Sequence, residues 1–146
     1  MNLYQDYLAE LGCRYGDHPV RDWFWQRIPA AETPAHYVAT MGIGFEGANL
    51  DHTARFAERL RSVGDARGGE VQDIVREEEV PHVRFAMHWF QRWVQGDFVR
   101  WAEHLPPPLS PWLMQGKPLN REDRARAGMT EDFMRELQAW IPFEQR

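Results

Sequence analysis

Glu79 and His82 stand three residues apart in a stretch whose apolar residues Val75, Val83, Ala86 and Phe90 recur with helical spacing. That spacing puts the carboxylate and the imidazole on one helix face, close to the apolar stripe and pointing inward. Glu-x-x-His at i, i+3 is how helical bundles offer a bridging carboxylate oxygen and an imidazole nitrogen to a two-metal centre from one helix. Glu46 lies on a second stripe, with Ile43 three residues before it and Leu50 four after. An ionised carboxylate moved out of water costs several kcal/mol unless a cation, a donor or a proton compensates it. Two such costs, in separate segments, share one explanation if Glu46, Glu79 and His82 hold metal. Oxygen and imidazole donors without a thiolate favour iron or manganese, with zinc as the alternative. The plainer reading of Arg76-Glu77-Glu78-Glu79 taken alone is a solvated acidic face.

Asp51 and Arg76 face each other if their two helices run antiparallel in the register that aligns Glu46 with the Glu79 to His82 turn. They are expected to form an ion pair, either behind the ligands and orienting them or as an ordinary interhelical salt bridge. His88 is six residues beyond His82 and points to another side of the helix. His18, His36, His52 and His104 have no acidic or histidine companion at helical spacing on an apolar stripe, so structural or exposed roles are expected for them. Trp89 and Trp93, four apart, stack for packing rather than as a platform for bases. Cys13 has no catalytic histidine in its sequence context and is read as inert. The glycines at 42, 44 and 47 follow no strand, so they make neither a phosphate loop nor a nucleophile elbow.

The elements that must carry these residues are helices. Leu3, Tyr7, Leu8 and Leu11 mark a short amphipathic helix that stops at Gly12. Turn chemistry at Tyr15 to Pro19 and a brief aromatic segment, Trp23 to Ile28, lead to Thr33-Pro34, an N-cap followed by proline at the first helical position. A long helix is expected over 34–63, stopped by Gly64, although Gly42, Gly44 and Gly47 weaken it by about 1 kcal/mol each relative to alanine. A second long helix is expected over 66–96, with Pro81 inside it removing a backbone donor and tending to kink it. The short link between the two implies antiparallel neighbours. Residues 97–146 read as a short helix near Phe98 and Trp101, an extended stretch at Pro106-Pro107-Pro108, and a terminal helix begun by Thr130 with Phe133, Leu137 and Trp140 on its apolar side.

The 146 residues suit one core, and 43% apolar content with seven Trp and eight Phe supplies it. A net charge of −5 with scattered basic residues gives no footprint for a phosphate backbone, so nucleic acid is not the expected partner. No run approaches the roughly 18 apolar residues of a membrane span, and no basic start precedes an apolar stretch. A single cysteine fits a reducing compartment, and the cytoplasm is expected.

The stretch Met41-Gly42-Ile43-Gly44-Phe45-Glu46-Gly47-Ala48-Asn49-Leu50-Asp51, then Arg59-Leu60 through Gly64-Asp65, then Glu78-Glu79-Val80-Pro81-His82-Val83, resembles the ferritin-like domain-of-unknown-function family 455. Tyr15-Gly16-Asp17 with Pro19, Trp89-Phe90, Pro106-Pro107-Pro108, and Lys117-Pro118-Leu119-Asn120-Arg121-Glu122 with Ala127-Gly128 are similar to its loop and tail signatures. Arg21 stands where a histidine is often found in that pattern. The resemblance implies an all-α, ferritin-like bundle with a carboxylate and histidine metal site. Glu46 then matches the lone glutamate of the third bundle helix, and Glu79 with His82 the Glu-x-x-His of the fourth. The first helix and most of the second have no counterpart, and residues 1–11 match the stub of the second.

Three accounts of the missing half stay open: the chain is a piece of a longer protein, two copies pair so that half-sites combine, or metal has been lost. An opening in mid-helix without a cap favours the first. Either a missing N-terminal segment or a homo-oligomer is expected to cover the apolar faces left bare. The leading functional expectation is a di-iron or dimanganese protein that activates oxygen on an unknown substrate. Its competitor is a non-enzymatic helical assembly or iron-binding module whose residual half-site holds no metal.

Overall fold

The computed structural model describes residues 2–142, and among them every regular element is helical. α1 (Asn2–Glu10) leads through a 3-10 turn at Trp25–Ala30 to α2 (Pro34–Val38). A π-helical segment, Ala39–Glu46, joins α2 without a break to α3 (Gly47–Ser62). α4 (Ala66–Val94), α5 (Phe98–Glu103), a 3-10 turn at Pro111–Met114, α6 (Arg121–Arg126) and α7 (Glu131–Ala139) follow. None of these helices is long and apolar enough to cross a membrane.

Side-chain caps set the starts. The Thr33 hydroxyl accepts the His36 N–H at 3.1 Å, Asp65 accepts the Gly68 N–H at 2.7 Å, and the Thr130 hydroxyl accepts the Phe133 N–H at 3.1 Å. Gly64, at φ +87, closes α3 in the left-handed conformation that suits glycine. The fourth helix ends two residues earlier than Gly96 suggests, because Gln95 itself takes the left-handed turn at φ 52. α7 ends at Ala139, which leaves Trp140 as its cap rather than part of its apolar side. α4 passes through Pro81 as one helix, with the proline exposed and its missing donor on the outer face.

The run expected as one α-helix over 34–63 is helical from Pro34 to Ser62, but its middle is a widened π segment in which the Gly47 N–H reaches back five residues to the Gly42 carbonyl. Its glycines serve close packing. A β-carbon on Gly42 would overlap Ala86 of α4, and one on Gly44 would meet the Met114 sulfur at 2.9 Å. The Trp101 indole N–H donates to the Ala39 carbonyl at 2.9 Å within the core. Around this crossing Ile43, Leu50, Val83, Phe90, Trp101, Met114 and Leu137 are almost wholly buried. α3 and α4 form the main contact, and α1 lies against α4 through Tyr7 with Asp65 and through Glu10 with Arg67.

Candidate metal centre

The widened segment ends on Glu46, and α4 carries Glu79 and His82 past the same point. One ligand atom from each of the three residues lies within 4.8 Å of the other two. Glu79 is nearly buried, with 13% of its side chain exposed, while His82 is 60% exposed. Asn49, one turn along α3, donates its amide N–H to Glu79 Oε1 at 3.0 Å. Glu79 Oε2 is 3.3 Å from His82 Nδ1, so the carboxylate and the imidazole are in direct contact. Burial pushes the Glu46 carboxyl above its ordinary pKa, the charge of Glu79 adds to that, and His82 opposes it. The cluster therefore carries a surplus of negative charge in a half-buried place. Among the described residues these are the only three His, Cys, Asp or Glu side chains gathered so closely.

Glu46 and His82 also edge a recess of about 230 Å³ walled by Tyr37, Val38, Met41, Gly42, Phe85 and Ala86. A larger recess of about 800 Å³, edged by Arg84, His88, Phe98 and Phe133, contains none of the three. Size favours the larger, but the smaller is the one that Glu46 and His82 of the cluster border.

The pairing expected between Asp51 and Arg76 does not occur. Asp51 is wholly buried and bonded to Arg124, with the backbone N–H of Gly116 at 2.6 Å and of Asn120 at 2.7 Å completing its shell. Arg76 turns the other way, to Asp73 at 3.2 Å and Asp123 at 3.3 Å. Asp123 and Arg124 arrive on α6, an element whose docking onto α3 has no periodic signal near residues 46–82, so both partners escaped the sequence reading. Asn49 and Tyr4 escaped it too. Tyr4 sits on α1 near enough for the Glu79 charge to help burial raise the phenol pKa, against a hydrogen bond with Gln72. Asn49 had a usable signal, since it lies three residues beyond Glu46 and on the same side of the helix.

The remaining candidates divide. Trp89 and Trp93 do pack, with ring centroids 5.2 Å apart. His36 and His104, without companions along the chain, meet across the fold with centroids 5.3 Å apart. His88 is exposed beside Trp89 and away from the cluster. Cys13 lies 3.9 Å from His18 near the surface, a long sulfur contact, and among the described residues no third group bonds to the ring.

A family model described as protein of unknown function (DUF455) matches residues 1–135. No curated protein and no solved structure matches the chain.

Proposed function

Because the chain belongs to the DUF455 family, whose description assigns no activity, we propose a function from geometry: Glu46, Glu79 and His82 form a carboxylate and histidine metal site of the di-iron type. The convergence of three ligand atoms within 4.8 Å, from elements more than thirty residues apart, carries this reading. The donor set fits the group. Two hard oxygens and one imidazole, without thiolate, suit iron or manganese, and a cation would offset the burial and the Glu79 charge that raise the Glu46 pKa. Such an ion would supply oxygen-dependent redox chemistry and Lewis acidity. Of the chain's own residues, Glu46 and Glu79 would hold and neutralise it. Asn49 fixes one oxygen of Glu79, and His82 offers an imidazole nitrogen.

In the same reading the π segment with α3, and α4, are two neighbouring helices of a ferritin-like arrangement, and α1 belongs to a third. The single cysteine suits a reducing, cytoplasmic setting. The class of substrate would be set by the apolar recess beside Glu46 and His82.

One observation favours a second reading. Asn49 and His82 already engage both oxygens of Glu79. With a proton on Glu46, the cluster is then a satisfied polar network that needs no ion, as in a non-catalytic helical module. Elemental analysis for iron, manganese and zinc, on protein purified without chelators or affinity metals, separates the two. Metal near one ion per chain, lost in a folded Glu79→Ala variant, supports the first. A folded, metal-free wild type supports the second.

A further inference from the structure

We propose that the outward face of α4 seats a second copy of this chain, docked antiparallel about a two-fold axis beside Phe85. α1 lies against the first half of α4, through Tyr7 with Asp65 and Glu10 with Arg67, while among the described residues the outward positions Pro81, Phe85, His88 and Arg92 are exposed. Phe85 is 61% exposed, Trp93 47% and neighbouring Tyr37 48%. Glu78, Phe85 and Arg92 follow at seven-residue steps, so they form one line along the helix, drifting only about 20° per step. Other charges of this helix have partners within the fold: Arg76 binds Asp123, Glu77 binds Arg126, and Arg84 donates to the Arg126 carbonyl. Glu78 and Arg92 are exposed, and neither is bonded to another side chain among the described residues.

The line is thus acidic about 10 Å to one side of Phe85 and basic about 10 Å to the other. A face whose charge reverses across its own midpoint is complementary to itself under a half-turn, as an isologous interface requires. The half-turn sets Glu78 against Arg92 of the second copy at both ends. Parallel pairing would instead oppose Glu78 to Glu78 and Arg92 to Arg92. The interface needs no metal at the Glu46 cluster, so native mass reports on the interface and metal content on the site.

Native mass by sedimentation or light scattering at micromolar concentration is the test, with far-UV circular dichroism confirming that each variant folds. The wild type is expected to be a dimer. Glu78→Arg and Arg92→Glu, each placing two like-charge pairs in the seam, should each raise the dimer Kd at least about tenfold, and the double reversal should restore it. In a Cys13→Ser background, Phe85→Cys should cross-link into a covalent dimer under mild oxidation. A monomeric wild type overturns the proposal and leaves the face to a different segment or protein. A dimer whose affinity ignores both single reversals, or which the double reversal fails to restore, overturns it equally.

Discussion

Arg124 on α6 holds Asp51 on α3 through two hydrogen bonds, Nε to Oδ1 at 3.0 Å and Nη2 to Oδ2 at 2.8 Å, with both side chains fully shielded from water. The same guanidinium donates to the Met114 carbonyl at 3.2 Å, so one side chain ties α3, the 3-10 turn and α6 together. Removing one member of a buried pair leaves an uncompensated charge, at about 3–5 kcal/mol. Arg124→Met is therefore expected to lower stability by about that amount in urea denaturation. Replacing Asp51 and Arg124 together by leucine should cost less than the two single changes summed, because no lone charge is left behind. Strict additivity in that cycle would mean that the pair is not energetically coupled.

Gly42 gives a prediction whose sign discriminates. Helix propensity alone makes Gly→Ala stabilising by about 1 kcal/mol in a helix interior. Here a β-carbon would overlap the Ala86 methyl where the π segment crosses α4. Gly42→Ala should instead destabilise by about 1–3 kcal/mol through overpacking, and adding Ala86→Gly should recover part of the loss. Thermal or urea unfolding of the single and double variants reads both effects.

His52 should make stability fall on mild acidification. Burial holds its imidazole below the ordinary value, the cations of Arg55 and Arg124 push the same way, and Asp51 opposes them. The unfolded chain then binds the proton more readily than the folded one, so stability is fully present above the ordinary value of about 6.5 and is lost as the pH falls from there toward the lower folded value. Unfolding free energies measured across that range should decline, and His52→Gln should flatten the decline. An unchanged slope in the variant would assign the effect to another histidine.

The helical class, the capping threonines and the i, i+3 spacing that sets Glu79 and His82 on one side of α4 were legible because each rests on short-range spacing, but the inward turn expected of His82 does not occur, since its ring is 60% exposed. Thr33 and Thr130 announce their helices by type alone, and i, i+3 geometry needs no tertiary knowledge. The widened turn at Ala39–Glu46 was not legible, since the glycines that permit it read as simple helix breakers until Ala86 and Met114 are seen against them. The true partner of Asp51 was hidden for a related reason. Arg124 is 73 residues away on a six-residue helix, and nothing local distinguishes it from the half-buried Arg121 or the exposed Arg126. Docking of the α6 and α7 segment onto α3 decides that contact, and docking is a property of the whole chain.

Asn49 offers the last prediction, because its one amide bond acts on the candidate site from outside it. The side chain donates to Glu79 Oε1 from the neighbouring helix, fixing the carboxylate rotamer that brings Oε2 toward His82. Groups behind a ligand typically change metal affinity by about 10–100-fold when removed. Asn49→Ala should therefore weaken manganese or ferrous iron binding by that order in a titration, while stability falls only by the roughly 1 kcal/mol of a lost hydrogen bond. Asn49→Asp should weaken it differently, since a third carboxylate near Glu79 adds attraction for the cation but repels the ligand it ought to hold. Loss of stability without any change in metal affinity would make Asn49 a plain interhelical contact, and Glu79 would then owe its position to packing alone.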